Sequence, residues 1–141
     1  MLAALLATLA HAAPDSALLE AHNRVRAQAG ALPLRWNEAL AAGAAAHAQQ
    51  LAASGQLTAS DAVGSNASGT IIVGENVSAA KTPEAAAGRW FAQQEAHDAR
   101  RCAPEDDHYA TCGHYAAAVA PYALSLGCGW AEGVLVCRYG G

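Results

Sequence analysis

Large side chains are scarce in this sequence. Its 141 residues include three Trp, four Tyr and one Phe, and alanine supplies much of the 53% that is hydrophobic. A chain of this length can enclose one core but not two, and each alanine adds little buried area. We therefore expect a single thin core that is cross-linked at a few places.

Basic residues and long apolar runs are also lacking. Eight Lys and Arg stand against 12 Asp and Glu, the net charge is −4, and no basic cluster exceeds Arg100-Arg101. This argues against a surface for nucleic acid or an anionic membrane. No apolar run approaches the roughly 20 residues that cross a bilayer, so the sequence predicts no membrane span.

Common catalytic motifs are absent as well. The chain has no Gly-x-Ser-x-Gly nucleophile turn and no glycine-rich phosphate loop after a strand. The sequence therefore predicts no cofactor, and any activity would have to come from residues brought together by the fold.

Residues 1–12 differ in character from the rest of the chain. Leucines alternate with alanines there, and Ala10-His11-Ala12 fits a small-x-small cleavage signal, although no Lys or Arg precedes the apolar stretch. The alternative is an apolar first turn of the fold. We predict that residues 1–12 are a signal peptide, that residues 13–141 form one mature domain, and that this domain is secreted.

Four cysteines lie in the C-terminal third of the chain. They are Cys102, Cys112, Cys128 and Cys137, and no two form a Cys-x-x-Cys pair. A structural zinc site usually has closely paired ligands. In a secreted chain, an even number of spaced cysteines predicts disulfides, here two.

Capping residues and apolar spacing predict three helices. Asn37 is a suitable N-cap, and at Thr82-Pro83 the threonine caps while proline takes the first helical position. The predicted helices run from Asp15 or Ser16 to Gly30, from Asn37 to Gly55, and from Thr82 to about Asp98.

The remaining segments predict loops and short strands. Residues 56–70 and 99–111 lack periodicity and are expected to be loops. Ile71-Ile72-Val73 predicts a strand that ends at Gly74-Glu75-Asn76, and apolar runs from His114 onward predict more strands. Helices followed by hairpins indicate an α+β domain.

A hairpin near the C-terminus can be derived in register. If Glu132-Gly133 is a two-residue turn, the numbers of any two residues that face each other across the hairpin add up to 265, so Cys128 faces Cys137. Hydrogen-bonded and non-hydrogen-bonded pairs alternate outward from the turn, and this pair is of the non-hydrogen-bonded type. Cα atoms in such pairs approach to about 4.5 Å, which lies within the disulfide range.

Several segments, in order along the chain, resemble motifs of the CAP superfamily of cysteine-rich secretory, antigen 5 and pathogenesis-related 1 proteins. They are Ala21-His22-Asn23-Arg24, Leu32-Pro33-Leu34-Arg35-Trp36, Gly74-Glu75-Asn76, Trp90, Cys112-Gly113-His114-Tyr115, Leu126-Gly127-Cys128-Gly129 and Val136-Cys137-Arg138-Tyr139. The resemblance implies an α-β-α sandwich, with a small antiparallel sheet between helical layers. It also implies the disulfides Cys102–Cys112 and Cys128–Cys137.

Members of this family carry two His and two Glu in a cleft, a set of ligands that suits zinc. Residue by residue, the resemblance places these four positions at Ala59, Glu75, Gln93 and His114. Only Glu75 and His114 have the kind of side chain, a carboxylate or an imidazole, that the family has at these positions. We expect a degenerate tetrad that holds no metal, with Glu75 and His114 forming a structural hydrogen-bonded pair.

Other residues near these positions are weaker candidates. Glu95 lies two residues after Gln93, about 200° around a helix, and points away from it. His47 stands where relatives often have an aromatic residue and is expected to pack or be half exposed. Ala116, Ala117 and Ala120 replace larger residues of the family, which predicts a wider and less polar cleft wall.

The resulting hypothesis is a secreted, non-enzymatic module that binds a sterol, another lipid or an extracellular protein, and acts as a monomer. The alternatives are a metal-dependent hydrolase that uses Glu75 and His114, and a purely structural extracellular module. Two N-glycosylation patterns begin at Asn66 and Asn76, and Asn66 is the expected acceptor in a eukaryotic source.

Overall fold

A computed structural model describes residues 11–12, 15–102 and 109–141. Its helices are α1 (Asp15–Gln28), α2 (Glu38–Ser54), α3 (Pro83–Phe91), α4 (Gln94–Asp98) and α5 (His114–Ala118), the last preceded by a π-helical turn at Tyr109–Gly113. Its strands are β1 (His11–Ala12), β2 (Arg35–Trp36), β3 (Asn66–Ala67), β4 (Thr70–Ala79), β5 (Ser125–Ala131) and β6 (Val134–Gly140).

The strands form one sheet in the order β1-β5-β6-β4-β3, and β2 adds a short parallel pairing to β5. Of the long strands, β6 lies between β4 and β5 and is antiparallel to both. The predicted α+β class is confirmed. Among the described residues, none of the helices has the length and apolar character needed to cross a bilayer.

The C-terminal hairpin has the predicted register. Ala131 pairs with Val134, and Cys128 pairs with Cys137 at a Cα–Cα distance of 4.1 Å. Glu132 and Gly133 both have positive φ, 45° and 86°, as a type I′ turn requires. Both predicted disulfides, Cys128–Cys137 and Cys102–Cys112, are formed.

Alternating side chains on β6 divide the core between two faces of the sheet. Val134 and Val136 pack against α2, whereas Leu135, Cys137 and Tyr139 pack in the cluster that contains residues of α1 and α3. Helix α2 lies directly on the sheet because Gly127 and Gly129 have no side chain. A Cβ at Gly129 would stand 2.2 Å from backbone atoms of Ala45.

The helix caps are those predicted from the sequence, but two segments differ from the prediction. Asn37 and Thr82 accept the predicted capping hydrogen bonds from Leu40 and Ala85. The third predicted helix is instead interrupted at residues 92–93, between α3 and α4. The segment that begins at His114 is first a helix, α5, and becomes a strand only at Ser125.

The predicted strand at residues 71–73 was too short. Strand β4 continues through Gly74-Glu75-Asn76 to Ala79, because β6 supplies hydrogen-bond partners along this length. Within the predicted loop 56–70, β3 pairs with the start of β4. The pairing of β4 with β6 is not visible in local sequence, since β6 lies about 60 residues further along the chain.

Strand β1 contains the last two residues of the predicted signal peptide. His11 and Ala12 pair with Trp130 and Gly129 at the edge of the sheet. Cleavage after Ala12 would remove this pairing. The signal peptide and its cleavage site remain a prediction.

Candidate functional site

The polar residues around the four family positions divide between the two faces of the sheet. Glu75 and Asn76 are neighbours on β4, so their side chains leave the strand in opposite directions. Glu75 reaches Arg138 and the loop at Ser60, whereas Asn76 reaches the start of α5 at His114 and the ring of Tyr139. The site is therefore two separate clusters.

The first cluster, on the α2 face, is built around the carboxylate of Glu75. One oxygen accepts from the backbone N–H of Ser60 at 2.7 Å. The other accepts from the Ser60 hydroxyl at 2.7 Å and from Arg138 Nε at 2.9 Å. Arg138 Nη2 also donates to the Ser60 hydroxyl at 3.2 Å. Glu75 is only 5% exposed.

These contacts determine the charge of Glu75. Burial alone would raise the pKa of the carboxyl, but the hydrogen bonds from Ser60 and Arg138 outweigh burial and hold the pKa below its usual value. The carboxylate is thus ionised and paired at neutral pH. It is a poor proton donor there.

Arg138 fits beside Glu75 because of a glycine on α2. The two residues are register partners on β4 and β6, and a Cβ at Gly43 would stand only 2.6 Å from Arg138 Nη1. Arg138 belongs to the last of the segments that resemble family motifs. The motif alone did not indicate that this arginine would be the counterion of Glu75.

The second cluster lies on the opposite face, around His114. The Gln93 amide oxygen accepts from the backbone N–H of Tyr115 at 3.1 Å, and its NH₂ donates to His114 Nδ1 at 3.1 Å. Trp90 stacks on the imidazole with a centroid distance of 6.3 Å and an interplanar angle of 13°. Gln93 therefore holds the first turn of α5 in place.

A hydrogen-bonded chain continues from this cluster into the core. Asn76 Nδ2 donates to the carbonyl of His114 at 2.8 Å and to the Tyr139 hydroxyl at 3.1 Å. That hydroxyl donates to His22 Nε2 at 2.8 Å, and His22 Nδ1 donates to the carbonyl of Leu18 at 2.8 Å. Burial lowers the pKa of His22 to about 4, so the ring is neutral at neutral pH.

Arg26 is a residue whose role the sequence did not reveal. Its side chain is fully buried. Its guanidinium donates to the carbonyl oxygens of four residues at 2.7–3.0 Å: Leu32, Ala118, Ala120 and Ala123. Arg26 lies four residues after buried His22, on the same face of α1. This spacing is the feature of the sequence that could have indicated that Arg26 is buried. The arginine joins α1 to the end of α5.

The remaining predicted positions lie outside both clusters. Ala59 is exposed, and the loop beside it is anchored by Ser60 and by His47, whose Nε2 donates to the carbonyl of Thr58 at 2.9 Å. His47 is half-buried, as expected. Glu95 is exposed, and its Oε1 lies 3.3 Å from Arg101 Nη2. Asn76 is 1% exposed, whereas Asn66 lies at the surface.

The expected pairing of Glu75 with His114 was wrong. In the described part of the chain, Glu75 bonds to Ser60 and Arg138, while His114 bonds to Gln93 and Asn76. Within the same residues, no three His, Cys, Asp or Glu side chains are grouped as metal ligands. Among the described residues, the groups at this site do not form a set of cation ligands, because Arg138 neutralises Glu75 and the Gln93 amide is bound to its own neighbours.

The fold is that of an α-β-α sandwich domain cross-linked by two disulfides. The family model described as "Cysteine-rich secretory protein family", CAP, matches residues 19–139. Pathogenesis-related proteins 1C and 1A of Nicotiana tabacum are each 35% identical over 127 residues, which cover 87% of this chain and 67% of each relative. The chain belongs to the CAP family.

Proposed function

We propose that this protein is an extracellular, non-enzymatic CAP module that binds a ligand or a protein partner through its cleft and surface loops. The observation that carries the proposal is that the polar groups at the family's tetrad positions are bound within the protein. Glu75 is held by Ser60 and Arg138, and Gln93 is held by Tyr115 and His114.

The hydrolase alternative is weakened by the same contacts. A general acid needs a pKa near the working pH, and the pKa of Glu75 is lowered instead. A catalytic zinc needs three protein ligands and an open position, but Ala59 offers no ligand atom and Gln93 only a neutral amide. Glu75 and His114 are the two residues that keep the ligand type, and they belong to separate clusters. They therefore do not act together.

The proposed location and partners have different support. Two disulfides are consistent with an oxidising, extracellular compartment. Sterols, other lipids and extracellular proteins are candidates on the basis of family membership. We further propose that the domain acts as a monomer.

Calorimetry with zinc, together with binding panels of lipids and peptides, tests this proposal. We expect no zinc binding at micromolar affinity by the unmodified protein and saturable binding of at least one lipid or peptide. Ala46→His adds an imidazole at an exposed position of α2 and serves as the control for adventitious zinc. Zinc-dependent hydrolysis that is lost in His114→Ala would refute the non-enzymatic function.

A further inference from the structure

Two adjacent arginines lie at the surface just after α4. Arg100 and Arg101 are both exposed and directly precede Cys102, and they are the one pair of neighbouring basic residues in the sequence. The side chain of Arg101 is 61% exposed, and its contact with Glu95, at 3.3 Å, is a surface ion pair. Such pairs hold a side chain weakly, so this arginine is available to a partner from solvent.

Arg100 has a backbone conformation that favours glycine. Its φ is 56°, its N–H donates to the carbonyl of His97 at 3.1 Å, and the N–H of Arg101 donates to the carbonyl of Ala96 at 2.8 Å. This is the hydrogen-bond pattern of a helix C-terminus whose left-handed residue is usually glycine. A residue with a Cβ is strained there, and such outliers cluster at functional sites. The turn is therefore easier to open than the same turn with glycine.

Helix α4 itself offers little resistance to opening. It has five residues, none of them buried, and a segment with few buried contacts opens locally at a low free-energy cost. A protease needs such an opening because it binds the residues around the scissile bond in extended form. The turn at Arg100 and Arg101 thus has the exposure and the low local stability that proteolysis requires.

The other basic residues lack this combination of features. Five of them lie within helices or strands, whose hydrogen bonds oppose an extended conformation in a protease: Arg24, Arg26, Arg35, Arg89 and Arg138. Lys81 is exposed and lies in a bend between β4 and α3, but it has no basic neighbour. Paired charge, exposure and an openable backbone therefore coincide at Arg100 and Arg101.

We propose that Arg100-Arg101 is a processing site for an endoprotease that recognises paired basic residues. Water hydrolyses the peptide bond between Arg101 and Cys102, which leaves a carboxylate on Arg101 and an amine on Cys102. Two neighbouring guanidinium groups suit an enzyme with two adjacent carboxylate-lined subsites, because guanidinium and carboxylate form strong paired hydrogen bonds. This inference goes beyond the binding function proposed above and does not depend on it.

The cleaved domain should remain one folded particle. Both disulfides lie within residues 102–141, so they do not link the two parts covalently. Strand β4 of the first part pairs along its length with β6 of the second. Arg26 of the first part also donates to the carbonyls of Ala118 and Ala120 of the second. We therefore expect two chains held together by the sheet and by buried hydrogen bonds.

Limited digestion of the folded protein with a kexin-type paired-basic endoprotease tests the site. Mass spectrometry should find one fragment that ends at Arg101 and one that begins at Cys102. The fragments should elute together in size-exclusion chromatography and separate on a denaturing gel without reductant. A cut between Cys102 and Cys112 would instead need reduction before the fragments separate. A chain left intact by enzyme that fully cleaves a reference paired-arginine peptide would overturn the proposal, as would a cut elsewhere.

Three substitutions at exposed positions distinguish a paired site from general exposure. Arg101→Gln should abolish cleavage by the paired-basic endoprotease and, at this position, by trypsin. Arg100→Gln should slow the paired-basic endoprotease by about 10-fold or more, because it removes one of two charge contacts, and should leave trypsin cleavage after Arg101 in place. Lys81→Gln is the matched control and should change neither result. Equal rates of paired-basic cleavage for Arg100→Gln and Lys81→Gln would refute recognition of the pair.

Discussion

The two faces of the sheet stabilise buried charge and polarity by different means. On the α2 face, the carboxylate of Glu75 is matched by the guanidinium of Arg138 at 2.9 Å. On the opposite face, the buried guanidinium of Arg26 is surrounded by backbone carbonyl oxygens. A neutral chain from His22 through Tyr139 to Asn76 lies beside it. One face therefore relies on a counterion and the other on dipoles.

This difference leads us to expect that histidine at position 59 and glutamate at position 93 would not by themselves restore the family tetrad. Glu75 already has a permanent cation as its partner, so an added metal ion would have to compete with Arg138. Gln93 already positions His114 through a neutral donor. The two retained tetrad residues have become parts of two structural networks, and these networks should respond differently to mutation and to acid.

The largest effect is expected from Arg26→Ala. It removes the donors of three buried carbonyl oxygens and of the part-buried Leu32 carbonyl. Hydrogen bonds to charged groups are individually strong, so we expect the free energy of unfolding to fall by about 5 kcal/mol. Arg24→Ala, at an exposed position of the same helix, should change it little. Equal urea midpoints for the two variants would contradict the assigned role of Arg26.

A smaller effect is expected from breaking the ion pair on the α2 face. Arg138→Met leaves Glu75 buried without its cation and should cost about 4 kcal/mol, and the double variant Glu75→Gln/Arg138→Met should cost less than the sum of the single variants. Arg101→Met breaks the exposed pair with Glu95 and should cost below about 0.5 kcal/mol. Strict additivity in the double variant would show that Glu75 and Arg138 are not coupled.

The acid response of this pair has a defined direction. Because the pKa of Glu75 is lowered in the folded protein from 4.5, the stabilisation is fully present above pH 4.5. It is lost as the pH falls further, through the lowered pKa. Glu75→Gln should remove this part of the acid dependence.

The smallest of the three effects comes from His22 and lies in a higher pH range. Its pKa is 6.5 in the unfolded chain and about 4 in the fold, so the unfolded chain binds more protons between these values. Stability is fully present above pH 6.5 and should fall by about 3 kcal/mol as the pH approaches 4.

The variant His22→Gln isolates this contribution. It should flatten the pH dependence of stability between pH 6.5 and 4. Parallel profiles for the wild type and His22→Gln would mean that His22 is not held neutral by burial.

Gln93 shows how a comparison with a family motif can miss the role of a residue. The sequence placed it at the position of a lost ligand. In the fold, its amide oxygen instead binds the backbone N–H of Tyr115, and its NH₂ binds the ring of His114. A carboxylate there could not donate to His114 Nδ1, so the amide is a functional part of this arrangement. The position of Gln93 in this arrangement depends on the break between α3 and α4. Helical periodicity in the sequence does not predict that break.

The sequence by itself determined those features that depend on residues close together in the chain. A two-residue turn at Glu132-Gly133 leaves one register for the hairpin, and with it the opposition of Cys128 and Cys137. Asn37 and Thr82 cap their helices through residues three positions away. In each case, the local geometry of a turn or a helix end restricts the chain to one arrangement.

Only the tertiary structure decided the partners of the buried polar groups. Glu75 bonds to a residue 63 positions away, Gln93 to one 21 positions away, and Arg26 to a carbonyl 92 positions away. A buried polar group must be hydrogen-bonded, but many partners would satisfy it equally well. The choice among them follows from which strands pair and which helices cross, and local sequence does not carry that information.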